Sequence, residues 1–240
     1  MPLGIPVPRC LCLLILLTAI LQIAPARGEE KISAGEASTG GEYRITVDGE
    51  VDERLAPVAG KLTELYFQCY PALVRRFENP DRPAPRHIKV RFKSGIKVPA
   101  YCSGDAITVS VEWLTKHPED LGMLTHELTH AVQAYPNANP GWFTEGLADY
   151  ARKRYGPKEQ PNWALPERLT SKNSYRESYR VAGRFFEWLD GKYPEALDKL
   201  HRRMQSGEFV VEDFDRVTGA SLDSLWERCV QDLQTPQKTP

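Results

Sequence analysis

The residues best suited to chemistry stand together in Met123-Leu-Thr-His126-Glu127-Leu-Thr-His130-Ala-Val132. Two imidazoles four residues apart fall on one face of a helix, about one turn apart, so both rings can reach a single metal ion. Glu127 points to the flank of that face, where a carboxylate can hold a water instead of binding the metal. The chemistry this spacing suits is zinc-assisted hydrolysis, with Glu127 as general base and then acid. A catalytic zinc takes three protein ligands and keeps one position for water, so the pattern calls for a third donor.

That donor is expected in Trp142-Phe-Thr-Glu145-Gly-Leu-Ala-Asp149-Tyr150. A helix starting near Trp142 and returning antiparallel after a loop over 136–141 brings Glu145 level with His130, and Asp149 level with His126. Glu145 is then the third ligand. Asp149 accepts the far ring proton of His126 and fixes its tautomer. The reverse assignment, Asp149 on the metal and Glu145 in support, stays open. A metzincin is excluded, because it needs Gly at 133 and His at 136, where the chain has Gln133 and Pro136.

These helices need a scaffold. Leu121, Leu124, Leu128, Ala131 and Val132 give the first a buried stripe, and Pro136 makes Tyr135 its last residue. Upstream, strict alternation predicts strands over 42–48, 87–92 and one or two over 101–111, with Ser103-Gly-Asp105 as a turn. Between them, 52–77 reads as an amphipathic helix bent or broken at Pro71. Downstream, 156–172 is proline-rich and irregular, with Trp163 and Leu165 as anchors. Helices are expected from Asn173 or Ser174 to Leu189, over 194–206 and 212–217, and from Ser221 to about Leu233. Strands first and helices afterwards imply an α+β single domain, a small mixed sheet followed by a mostly helical C-terminal half that contains the His126 helix.

Further residues are assigned to the cleft. Ile107, Thr108 and Val109 are expected to flank it and offer backbone groups to an extended peptide, the alternative being a buried inner strand. Trp142 is a further candidate for peptide contact. Tyr179, on the 173–189 helix one turn after Tyr175 and on the same face, is the candidate for stabilising an oxyanion. Its alternative is a core tyrosine with its hydroxyl on a backbone carbonyl. Arg184 reads as a salt-bridge partner, and His87 and His201 as surface residues.

The first 28 residues read as a secretory signal, with Arg9 before an apolar run from Cys10 to Ala24 and Ala24-Pro25-Ala26 as cleavage signature. An uncleaved anchor is the alternative. Residues 29–41 are expected to be a flexible leader, 42–234 the folded domain and 235–240 a frayed tail. Without Arg9 and Arg27, 29 basic residues face 32 acidic ones. No basic run or aromatic-basic stripe stands out, which argues against nucleic acid or an anionic membrane as partner. The expected product is an exported monomer acting on a peptide or protein and holding one zinc ion, with no stable membrane association once the signal is removed. Cys69, Cys102 and Cys229 remain after signal removal, enough for one disulfide with one thiol left over.

Five stretches together carry a family resemblance: Ile107-Thr-Val-Ser-Val111, His126 to Gln133, Trp142 to Tyr150, Ser178-Tyr179-Arg-Val-Ala-Gly-Arg-Phe185, and Phe214-Asp-Arg-Val-Thr-Gly-Ala-Ser-Leu-Asp-Ser-Leu-Trp226. In this order they resemble the basic secretory protein family of plants and bacteria, zincin-type metallopeptidases. The resemblance implies a zincin-like fold, zinc on His126, His130 and an acid of the Glu145 helix, and a catalytic Glu127. The chain departs from the family name in being mildly acidic, with a net charge of −1. The rival reading keeps the same ligands in a non-catalytic secreted zinc protein that binds a peptide or glycan.

Overall fold

The computed structural model describes residues 36–39 and 41–234; the expected signal and the 235–240 tail lie outside them. Alternation of apolar and polar residues builds a five-stranded sheet with one face on the core. Its strands are β1 (Glu36–Thr39), β2 (Tyr43–Gly49), β3 (His87–Lys93), β4 (Ala100–Ser103) and β5 (Ala106–Ser110). The order is β1-β2-β3-β5-β4, with β2, β3 and β5 parallel and both outer strands antiparallel to their neighbours. Ile45, Val47, Ile88, Val90, Phe92, Ile107 and Val109 are buried on the inner face. The other face carries the ion pairs Asp48–Arg91 and Lys89–Asp105, as suits a sheet covered on one side only.

Two expectations change here. Residues 36–39, inside the stretch expected as a flexible leader, form β1 and pair with β2, Glu36 opposite Thr46. Ile107, Thr108 and Val109 belong to β5, which lies between β3 and β4, so they have no free edge to offer a peptide. The strand at that end of the sheet is β4, folded back on β5 through a turn in which Gly104 takes a φ of +63°.

The helices are α1 (Ala56–Phe77), α2 (Val111–Lys116), α3 (Gly122–Gln133), α4 (Gly141–Tyr155), α5 (Tyr179–Lys192), α6 (Ala196–Ser206), α7 (Asp213–Thr218) and α8 (Leu222–Gln234). α1 runs unbroken through Pro71. Beyond the proline, Leu73 and Phe77 are as deeply buried as Leu62 before it. That packing offsets the roughly 3 kcal/mol an interior proline costs. α3 carries the buried stripe read from the sequence and ends at Ala134, whose φ of 46° stops the helix.

α4 and α5 approach closely because Gly146 and Gly183 face each other's helix. A Cβ on Gly146 would lie 2.5 Å from the Ala182 Cβ, and one on Gly183 3.1 Å from the Asp149 Cβ. Arg76 ties four helices together. Its guanidinium reaches Asp190 at 2.5 Å on α5, Asp198 at 2.9 Å on α6 and the Tyr150 hydroxyl at 2.6 Å on α4.

The helix expected over 173–189 is interrupted. Tyr175–Glu177 form a 3-10 turn capped by Ser174, then Ser178 and Tyr179, the N-cap and first residue of α5, take φ values of 67° and 43°. Tyr175 and Tyr179 therefore do not share a face. Tyr175 is buried and its hydroxyl donates to Asp223, whereas Tyr179 is 55% exposed. His201 also departs from expectation. It is buried, its Nε2–H donates to the Phe77 carbonyl, and its Nδ1 accepts from the Tyr135 hydroxyl. Its place on the α6 face shared with Leu197, Leu200 and Met204 is the reason. The three cysteines Cys69, Cys102 and Cys229 are all free, so the disulfide allowed by the sequence is not formed. No helix among the described residues is long and apolar enough to cross a membrane.

Candidate metal centre

α3 and α4, joined by a short loop, lie antiparallel, and their facing sides bring together the residues that counting aligned. His126 Nε2 is 3.2 Å and His130 Nε2 3.6 Å from Glu145 Oε2, and the two Nε2 atoms are 3.1 Å apart. One nitrogen from each ring and one carboxylate oxygen, all within 4.8 Å of one another, form a group able to hold a metal ion. Asp149 does not join it. Its Oδ1 sits 2.7 Å from Nδ1 on the far side of the His126 ring.

The His130 ring is anchored by a residue the sequence reading assigned no role. Its Nδ1 is 2.7 Å from the Gln133 Oε1, and the Gln133 amide nitrogen donates to the Thr144 carbonyl at 2.9 Å. Both imidazoles thus spend Nδ1 on a buried acceptor, which leaves the Nε2 lone pairs turned toward Glu145. Gln133 lies three residues after His130 on the same helix, and that spacing is the signal from which it could have been found.

The electrostatics agree with a site built for positive charge. Burial opposes charge on the His126 ring, but Asp149 and Glu145 outweigh it and hold its pKa up at about 10. Burial likewise raises the Glu145 carboxyl, and the two imidazoles overcome it, pulling the pKa down to about 2. The donor set fits zinc: two neutral imidazoles and one carboxylate, with ring orientation fixed from outside.

Glu127 is outside the converging group but lines the same cleft, of about 840 Å³. It is 8% exposed, and burial pushes its carboxyl above the usual range, with the Cys102 backbone N–H and the two imidazoles opposing. Tyr179 lines the cleft too, its ring stacked 6.2 Å from that of His126. The Glu145 charge and then partial burial push its phenol upward.

One wall of the cleft is the strip Val98 to Cys102, which includes most of β4. Another carries Arg152, buried and bonded to Asp120 at 2.6 Å and Gln160 at 2.8 Å, with the Trp163 ring 4.0 Å away. Trp142, expected as a peptide contact, is packed among Phe143, Tyr175, Phe186 and Phe214 and is not part of the lining. Ile107, Thr108 and Val109 are not part of it either.

The family model BSP, described as peptidase of plants and bacteria, matches residues 42–228. The chain belongs to this family. The BSP match takes in β2 to most of α8, and so all the residues of the centre. Among curated proteins none matches. Of the solved structures that do, one is a functionally unknown conserved protein from Bacillus anthracis str. Ames, at 11% identity and a TM-score of 0.46, covering 81% of this chain and 51% of that one. Another is an M1 zinc metallopeptidase from Deinococcus radiodurans, at 14% identity and a TM-score of 0.40, covering 88% and 52%. The BSP chain spans about half the length of these two proteins.

Proposed function

We propose that this protein is an exported, zinc-dependent peptidase of zincin type. The observation that carries the proposal is the convergence of His126, His130 and Glu145 on one point, with Glu127 on the same cleft but outside the group. Zinc held by these donors supplies Lewis acidity, acidifying water and polarising a peptide carbonyl. Glu127 takes the proton of the attacking water and passes it to the amine nitrogen as the C–N bond breaks. Its burial suits both steps, since a raised pKa brings a carboxyl nearer the working pH.

Tyr179 stands over His126 and offers its hydroxyl to the carbonyl oxygen that becomes negative. Asp149 and Gln133 hold the two rings in the tautomer that presents Nε2. The peptide main chain pairs with β4, the strand at the edge of the sheet and along the cleft, by the strand addition first assigned to β5.

The test is a digest of a diverse peptide mixture by protein purified without chelator, read by mass spectrometry. Cleavage is expected with the wild type and is expected to vanish on chelation. Glu127→Gln is expected to retain zinc by elemental analysis and to cut nothing. A wild type that holds zinc and cuts no peptide would turn the reading toward a non-catalytic peptide- or glycan-binding zinc protein. Tyr179→Phe is expected to lower kcat more than it changes KM, and unchanged turnover would remove that residue from the mechanism.

A further inference from the structure

Three arginines recur at helical spacing around the start of α5: Arg176, Arg180 and Arg184. Two are occupied. The Arg176 guanidinium lies 5.0 Å from the Tyr175 ring centre, and Arg184 pairs with Glu187. Arg180 is exposed, lines the cleft beside Tyr179, and has no hydrogen-bond or ion-pair partner among the described residues.

The other charges of the cleft are already matched. Arg152 is bonded to Asp120, and Asp120 also accepts from the Trp113 indole N–H at 2.8 Å. Asp149 and Glu145 are taken by the imidazoles. Glu127 is buried and faces the same two rings. Arg180 also sits in the first turn of α5, where the helix dipole disfavours a cation, and no acid among the described residues pairs with it. It is near enough to Arg152 for the two like charges to oppose each other. A basic peptide side chain there would meet two cations, and a carboxylate would meet an unshared guanidinium fork able to donate two parallel N–H bonds.

We propose that Arg180 is a specificity-determining residue that receives a carboxylate of the bound peptide. That carboxylate is either an Asp or Glu side chain or the peptide's own C-terminus. The inference rests on the peptidase reading of this cleft and deepens it by naming its substrates as peptides acidic near the scissile bond.

The test compares zinc-loaded wild type with Arg180→Gln on peptide pairs that differ only in charge: Glu against Gln at each position flanking the cleaved bond, and free C-terminus against amide. The acidic-to-neutral ratio of kcat/KM is expected to fall about 3- to 10-fold in Arg180→Gln, as suits a charge-assisted hydrogen bond made by an exposed guanidinium. Arg180→Glu is expected to invert the preference toward Lys-containing peptides. Loss of the effect on Glu-to-Gln exchange assigns the side chain, and loss on amidation assigns the chain end. An unchanged ratio, or an equal loss on every peptide, overturns the proposal.

The same peptides, titrated by fluorescence anisotropy into zinc-loaded Glu127→Gln with and without Arg180→Gln, report binding without turnover. A carboxylate preference there with no cleavage by wild type removes the peptidase reading and keeps Arg180. Cleavage by wild type with no preference in either assay removes Arg180 and keeps the peptidase.

Discussion

His126 on α3 and His201 on α6 are both buried, at 8% and 1% exposure, yet their surroundings favour opposite charge. Two carboxylates bracket the His126 ring and hold its pKa up at about 10. His201 has only a carbonyl and a phenol on its nitrogens, and burial takes its pKa down to about 4. Burial acts in the same direction on both rings, so the neighbouring acids decide the sign. The difference separates a site for a cation from a structural ring. At His126 one nitrogen is spent on an acceptor and the other is turned to a shared point, while at His201 both nitrogens are consumed by the fold. Tyr135 links the two regions, since it lines the cleft and donates to His201.

The largest effects that could break this contrast come from the metal ligands. Zinc sites in small domains bind with about 10–16 kcal/mol, so removing one of three protein donors is worth about 4 kcal/mol. His126→Ala or Glu145→Gln should therefore weaken zinc on the order of a thousandfold in competition with a chromophoric chelator. His201→Gln should leave that affinity as it is.

Next comes the acid sensitivity of the His201 region. Its folded pKa of about 4 lies below the usual 6.5, so between those values the unfolded chain binds a proton that the native one refuses. Stability is then fully present above about pH 6.5 and is lost as the pH falls toward 4, by about 3 kcal/mol. Urea unfolding at pH 7 and pH 4 measures the loss, and His201→Gln should flatten it.

Smaller effects come from groups that act through the ligands. Asp149→Ala should weaken zinc about 10- to 100-fold, and Gln133→Ala should fall near the lower end of that range, both by chelator competition. Gly146→Ala acts on packing alone. Its Cβ would lie 2.5 Å from the Ala182 Cβ, which has no freedom to turn aside, so α4 and α5 must part. The cost of about 3 kcal/mol outweighs about 1 kcal/mol of helix propensity, and a net loss of about 2 kcal/mol should appear in thermal unfolding.

Parts of this arrangement were legible because short-range periodicity settles them. A stripe at Leu124, Leu128 and Val132 and a short loop containing Pro136 and Pro140 force two adjacent antiparallel helices, and the counting that aligns Asp149 with His126 follows. Alternation likewise marked β2, β3 and the β4–β5 hairpin. Alternation tells which face of a strand is buried and says nothing of which strands flank it, so β5 was placed beside the cleft when β4 holds that position.

Other features depended on long-range contacts or on rare backbone states. Trp142 is covered by rings from the Tyr175 turn, α5 and α7, and nothing near it in sequence announces them. Ser178 and Tyr179 take positive φ without a glycine to signal it. His201 is a different case. Its spacing of four from Leu197 places it inward, and the residue type misled where the period was correct. Pro71 misled in the same way, because a helix held on both sides by core packing tolerates it.

The central claim is that one zinc ion sits on His126, His130 and Glu145. The most direct measurement is an anomalous difference map at the zinc edge from crystals of the loaded protein. The account predicts one strong peak, about 2.0–2.2 Å from both Nε2 atoms and from a Glu145 oxygen, with Asp149 still on His126 Nδ1. No peak between the two rings, or a peak bound by Asp149 with Glu145 turned away, would contradict it.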